Sequence, residues 1–159
     1  MALYRPQWVY KTPEGYRDEP WFQAIRAVDL GTIAASPPNA RPGQYTTKGP
    51  FVISFDRDAE FLILGMAIDA GDNFRSLGYQ FTDAFGYLLS DDFIGSDLYA
   101  MPLGQSTDRG GGFGSSVNTP HYVPPGGTWQ LSVINFDNVV QTIPDMELRG
   151  YKRFKVVCE

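Results

Sequence analysis

Two groups of carboxylates carry most of the chemistry this chain could perform. Asp56, Asp58 and Glu60 follow one apolar run, and Asp91, Asp92 and Asp97 crowd a second turn. Hard carboxylate oxygens can hold Ca²⁺, and a pair facing each other across a cleft can hydrolyse a glycosidic bond. Asp is also a residue that turns use for their own hydrogen bonds. Neither group follows the Asp-x-Asp-x-Asp-Gly pattern of a calcium loop, so turn formation is the expectation, ahead of calcium binding and of catalysis. His121 is the sole histidine, within Thr119-Pro-His-Tyr-Val-Pro-Pro-Gly-Gly127, and Cys158 is the sole cysteine. A zinc site of the usual His/Cys spacings therefore cannot be built, and no Gly-x-Ser-x-Gly surrounds a serine. His121 reads as a loop or interface residue. The glycines at 110, 111, 112 and 114 are not followed by Gly-Lys-Ser/Thr, so they are not a phosphate cradle. Trp129, Tyr87, Tyr99 and Tyr122 could stack on sugar rings, yet Trp129 alternates with Leu131 and Val133 at strand period and belongs in a core. The expectation is a protein that is not an enzyme and needs no cofactor and no metal.

The elements that position these residues change character near residue 50. Seven of the twelve prolines (Pro6, Pro13, Pro20, Pro37, Pro38, Pro42, Pro50) fall in the first fifty residues. Proline fixes φ and donates no backbone hydrogen bond, so this segment is expected to be an extended arm, residues 1–50, leading into a β domain, residues 51–159. Residues 19–30 could form a short helix, with extended pairing to a partner as the alternative. Beyond Pro50, short apolar runs alternate with Asp and Gly turns: Phe51 to Phe55, Phe61 to Ile68, Leu77 to Phe85, Tyr87 to Ser90, Leu98 to Leu103, Thr128 to Phe136, Val139 to Ile143 and Met146 to Val157. About eight short strands with no helix between them predict an all-β antiparallel sandwich, jelly-roll-like. Phe61 to Ile68, apolar on both faces, is the expected central strand.

At 159 residues the chain is one domain with an appendage. Residues 1–50 hold six Lys/Arg against four Asp/Glu, and the remainder seven against fourteen, so an acidic body excludes nucleic acid as a partner. Arg149, Lys152, Arg153 and Lys155 alternate with Tyr151, Phe154 and Val156 and read as a solvated strand face. No run approaches the roughly 18 apolar residues of a membrane span, and the start lacks a signal-peptide pattern, which points to synthesis in a cytosol without membrane contact. The arm is too apolar for a solvated linker: it carries Trp8, Tyr10, Trp21 and Phe22 among others. These four are the expected anchors on a neighbouring subunit, since large aromatics dominate binding where they fill pockets; packing of Trp21 and Phe22 on their own domain is the competing expectation.

Tyr122 to Phe136, with its Pro-Gly turn opening a strand that ends in Asn, followed by Met146 to Phe154 with a Gly-x-Lys strand, resembles the small β-sandwich virion proteins of tailed bacteriophages. Phe61 to Ile68, Asp72-Asn-Phe74 and Asp83 to Ser90 fit the same pattern, and the resemblance spans about residues 51 to 157. It implies a capsid-associated decoration, cement or head-fibre subunit on the virion surface, assembled in the host cytoplasm, that binds the major capsid protein and copies of itself as dimer or trimer. A receptor- or carbohydrate-binding module of a tail or fibre is the alternative, and a glycan hydrolase a third.

Overall fold

Phe61 to Ile68 lies at the hub of the molecule, as a strand apolar on both faces must. The computed structural model describes residues 14–69, 76–95, 101–103 and 121–156, residues 101–103 by their backbone. The strands are β1 (Tyr16–Ile25), β2 (Thr32–Ile33), β3 (Thr46–Ser54), β4 (Glu60–Asp69), β5 (Leu77–Thr82), β6 (Ile94–Gly95), β7 (Met101–Leu103), β8 (His121–Val123), β9 (Thr128–Asn135), β10 (Gln141–Thr142) and β11 (Met146–Lys155). One helical turn, α1 (Ala27–Leu30), follows β1. The larger sheet runs β1-β11-β4-β7, with β8 also on β4; the second runs β3-β9-β5-β6, and β10 pairs β2 in a two-stranded ribbon. Pairing is antiparallel except between β4 and β7. The all-β expectation therefore holds among the described residues. Tyr87 to Ser90, expected as a strand, makes only the bridge Thr82↔Leu88.

Both sheets feed one core. Phe61, Ile63, Met66 and Leu148 meet Ile53, Tyr79, Phe81, Trp129 and Leu131 there, and Ile33 and Ile143 close it from the ribbon. Each fully buried side chain of this size contributes about 1.5–3 kcal/mol. Rings form a continuous series through it: Trp21–Phe61 at 5.6 Å, Phe61–Phe55 at 5.1 Å, Phe55–Trp129 at 6.2 Å and Trp129–Phe81 at 5.9 Å between centroids. Gly150 sits where the β11–β4 register shifts. A Cβ there would run into the Leu62 carbonyl oxygen, so only glycine permits the two backbones to come so close.

The boundary expected at residue 50 falls inside β3, and the described part of the expected arm lies in the sheets. β1 pairs with β11 along all ten of its residues, and Ile25, Leu30 and Ile33 are core residues. The chain from 19 to 30 is thus strand to Ile25 and helical only over Ala27–Leu30, correcting the longer helix. Pro20 survives in a strand because of which way its nitrogen faces. Val156 N–H donates to the Gly15 carbonyl at 2.8 Å. Antiparallel bonding alternates along the strand, so the backbone groups of Arg17, Glu19, Trp21, Gln23 and Ile25 point to β11, and those of Tyr16, Asp18, Pro20, Phe22 and Ala24 point outward. Proline is tolerated on an edge strand in that orientation. Among the described residues, the other prolines before Pro50, namely Pro37, Pro38 and Pro42, occupy a loop tied down at Ser36 and Asn135. Asn135 is fully buried; its Nδ2 donates to the carbonyls of Ala34 at 3.1 Å and Val139 at 2.8 Å, and its Oδ1 accepts from Asp137 N–H at 2.9 Å. Ser36 Oγ donates to the Asn135 carbonyl and accepts from Thr46 N–H.

Candidate functional site

The turn after β5 is built by one aspartate. Asp83 Oδ1 accepts from the N–H groups of Phe85 and Tyr87, both at 2.9 Å, while Asp83 N–H donates to the Tyr87 carbonyl at 2.8 Å. Gly86, at φ 84, completes the reversal in a conformation that L side chains rarely adopt. Leu89 N–H returns to the Phe81 carbonyl at 2.9 Å. With the backbone held this way, Phe85, Tyr87 and Leu88 stand 58%, 71% and 58% exposed. Tyr122 of β8 joins them: its ring lies nearly parallel to that of Phe85, 14° between planes and 6.2 Å between centroids. The result is an apolar tip: a hydrogen-bonded turn that presents Phe85, Tyr87 and Leu88 to solvent, with Tyr122 stacked on Phe85.

Behind the tip lies a row of charge. Asp18 of β1, Arg153 of β11 and Glu60 of β4 are directly opposite one another in register. Asp18 and Arg153 occupy a pair without mutual backbone bonds, where side chains approach more closely. Their two bonds measure 2.7 and 2.8 Å. The bonds that Arg153 donates to the Asp18 carboxylate hold its guanidinium still more firmly in its charged form. Burial, then a hydrogen bond to Glu60 and its charge, push the Tyr122 hydroxyl above its usual value. Arg153 therefore belongs to a half-buried network rather than a solvated face.

Of the four expected anchors, Trp8 and Tyr10 lie outside the described residues. Trp21 packs against Phe61 with Lys152 Nζ 4.8 Å from its ring centroid. Phe22 is 59% exposed on the opposite face of β1, with the Arg149 guanidinium 5.8 Å from its centroid. The two are neighbours in sequence but face opposite ways, as strand alternation requires. At the first carboxylate turn the cation is a side chain: Lys152 Nζ sits 3.1 Å from Asp58 and 3.7 Å from Asp56. At the second, Asp92 Oδ1 accepts from Phe93 N–H at 2.7 Å, and Asp97 lies outside the described residues. Among the described residues no group of three or more His, Cys, Asp or Glu is placed to hold a metal ion. Trp129 is fully buried, and His121 stands edge-on to it at 6.0 Å; Tyr99 lies outside the described residues. Phe85 and Leu88 were missed by sequence reasoning. The signal was the aromatic at an inner position of the Asp83-x-x-Gly86 turn, where it has no strand partner to pack on. The chain matches no family model, no curated protein and no solved structure.

Proposed function

We propose that this protein is a non-enzymatic structural subunit of a tailed-phage particle, a jelly-roll-like β-sandwich that binds the major capsid protein and copies of itself and stabilises the head. The observation that carries this reading is the tip of Phe85, Tyr87, Leu88 and Tyr122. Exposed apolar groups brought together on one turn are a common mark of a contact with another protein, and the Asp83 turn lowers the ordering cost of using them. The resemblance of residues 51 to 157 to capsid-associated proteins names the class of partner. The test is co-sedimentation with undecorated capsids across a concentration series. Phe85→Ser with Tyr87→Ser should weaken binding about 30-fold, the effect of losing one anchor worth about 2 kcal/mol. Unchanged binding removes the tip from the interface.

A second reading, a glycan- or receptor-binding module, is favoured by the near-parallel Phe85 and Tyr122 rings with Glu60 beside them, since sugars stack on aromatic faces and hydrogen-bond to carboxylates. A glycan array separates the two: retention lost in the same double variant supports the sugar reading, and no retention alongside capsid binding supports the first.

A further inference from the structure

We propose, on the reading that the tip is the contact surface, that what receives it is an apolar pocket of another protein rimmed by Lys and Arg. The acidic rim of the tip then sets how quickly the two meet, and its apolar groups set how long they stay. Phe85, Tyr87 and Leu88 are exposed on one turn, with Tyr122 against Phe85. From Ser76 to Gly95 the chain carries Asp83, Asp91 and Asp92 and no Lys, Arg or His. All three carboxylates stay near the apolar groups. Asp83 belongs to the turn itself. The Thr82↔Leu88 bridge and the bond from Leu89 N–H to the Phe81 carbonyl bring the chain back along β5. Asp91, exposed like Asp92, follows Leu88 by three residues, at most about 10 Å of extended chain. That is about one Debye length at 0.1 M salt. On the other side, Tyr122 is hydrogen-bonded to Glu60, and the guanidinium of that row, Arg153, is held by both of its bonds to Asp18.

Charge decides among the occupants such a surface could have. In a two-fold pair of tips, acid would face acid, and like charges opposed across an interface cost affinity. Elsewhere among the described residues, cations are committed to their own chain: Arg17 to Glu19, Arg149 to Glu147 and Lys152 to Asp58, while Lys48 Nζ donates to the carbonyls of Leu30 and Thr32. A second copy is therefore a poor match for the tip. A neutral sugar answers the aromatic faces but not the aspartates around them. An apolar pocket ringed by Lys and Arg answers both, with the desolvated centre and polar rim of an ordinary interface.

Association and dissociation of the full chain on undecorated capsids, measured separately, test this. Raising NaCl from about 50 to about 500 mM should slow association about tenfold, with dissociation changed less than about twofold. Asp91→Asn with Asp92→Asn keeps the Oδ1 that accepts from Phe93 N–H. It should slow association about threefold at low salt and flatten the salt dependence, since rim charges act mainly on encounter. Phe85→Ser with Tyr87→Ser should instead speed dissociation and leave the salt dependence as it was. Association indifferent to salt, or a salt dependence the same with and without Asp91 and Asp92, overturns the basic rim while the tip remains the contact. Unchanged binding of the serine variant removes the tip itself. A second readout needs no capsid: benzamidinium and benzamide present the same ring with and without a cation. Millimolar benzamidinium should shift the amide resonances of Phe85 and Tyr87 well beyond the effect of benzamide, and an equal response to the two overturns the proposal.

Discussion

Replacing Asn135 with alanine removes three hydrogen bonds from a site with no solvent access: two donated to the carbonyls of Ala34 and Val139, one accepted from Asp137 N–H. Each such bond contributes about 1 kcal/mol net, so the expected loss is about 3 kcal/mol. It exceeds the usual cost of a point substitution because the partners are backbone groups that keep their burial. For a chain of this size that lowers the melting temperature by about 6–12 °C. Urea unfolding followed by the fluorescence of buried Trp129 gives the free energy directly, with the slope of the transition checking that unfolding remains two-state. Asn135→Asp should be worse than alanine at neutral pH, since a carboxylate oxygen would face two carbonyls, and should recover part of the difference in mild acid, where the protonated oxygen can donate. A loss below about 1 kcal/mol for the alanine variant would refute the reasoning, for it would mean that water replaces Asn135 without cost and the loops at 34–36 and 137–139 are held by something else.

Gly150→Ala places a Cβ against the Leu62 carbonyl and 2.9 Å from Ile63 Cα; it should cost about 3 kcal/mol or abolish soluble expression, read by yield and thermal melt. Lys152→Met keeps the stem over Trp21 and Phe61 but drops the contacts to Asp56 and Asp58, which are 60% and 67% exposed; the loss should stay under about 1 kcal/mol, whereas Lys152→Ala, which also strips the stem, should cost about 2 kcal/mol. Alkaline titration followed by tyrosinate absorbance should show Tyr122 ionising above the common tyrosine value. A hydroxyl whose pKa is raised by folding contributes stability that is complete below about pH 10 and is lost as pH climbs through the raised value. Tyr122→Phe should remove that alkaline limb, and Glu60→Gln should bring the ionisation part of the way down.

The strands that build the core were legible because their apolar residues have no other use. Phe61 to Ile68 and Thr128 to Phe136 both lie where their composition demands, with Trp129 inside. β1 was not legible. Its outward side chains include Asp18, Pro20 and Phe22, and its one proline sits where no bond is lost, so neither apolar period nor proline count separates it from a loop. Only the partner strand, more than a hundred residues away, supplies that information. The tip was half legible: Asp83 and Gly86 announce a turn, but a Phe and a Tyr in a β-rich chain are expected inside, and exposure is decided by which way the turn projects. The carboxylate turn was read correctly as a turn, while its cation was hidden, because the lysine that fills it comes from the far end of the chain.

The pairing of Tyr16 with Lys155 and of Ile25 with Met146 has a kinetic side. A contact between residues so far apart in sequence closes a loop that includes nearly every other strand, and the entropy of closing it must be met before the contact returns anything. On a ribosome, β1 waits for β11 until more than a hundred further residues have been made, holding an unpaired edge and the apolar side of Trp21 and Ile25 in the meantime. The joining of the first described strand to the last is therefore expected to come late in folding, and a circular permutant that links these two by a short hairpin should fold faster than the natural chain order at similar stability.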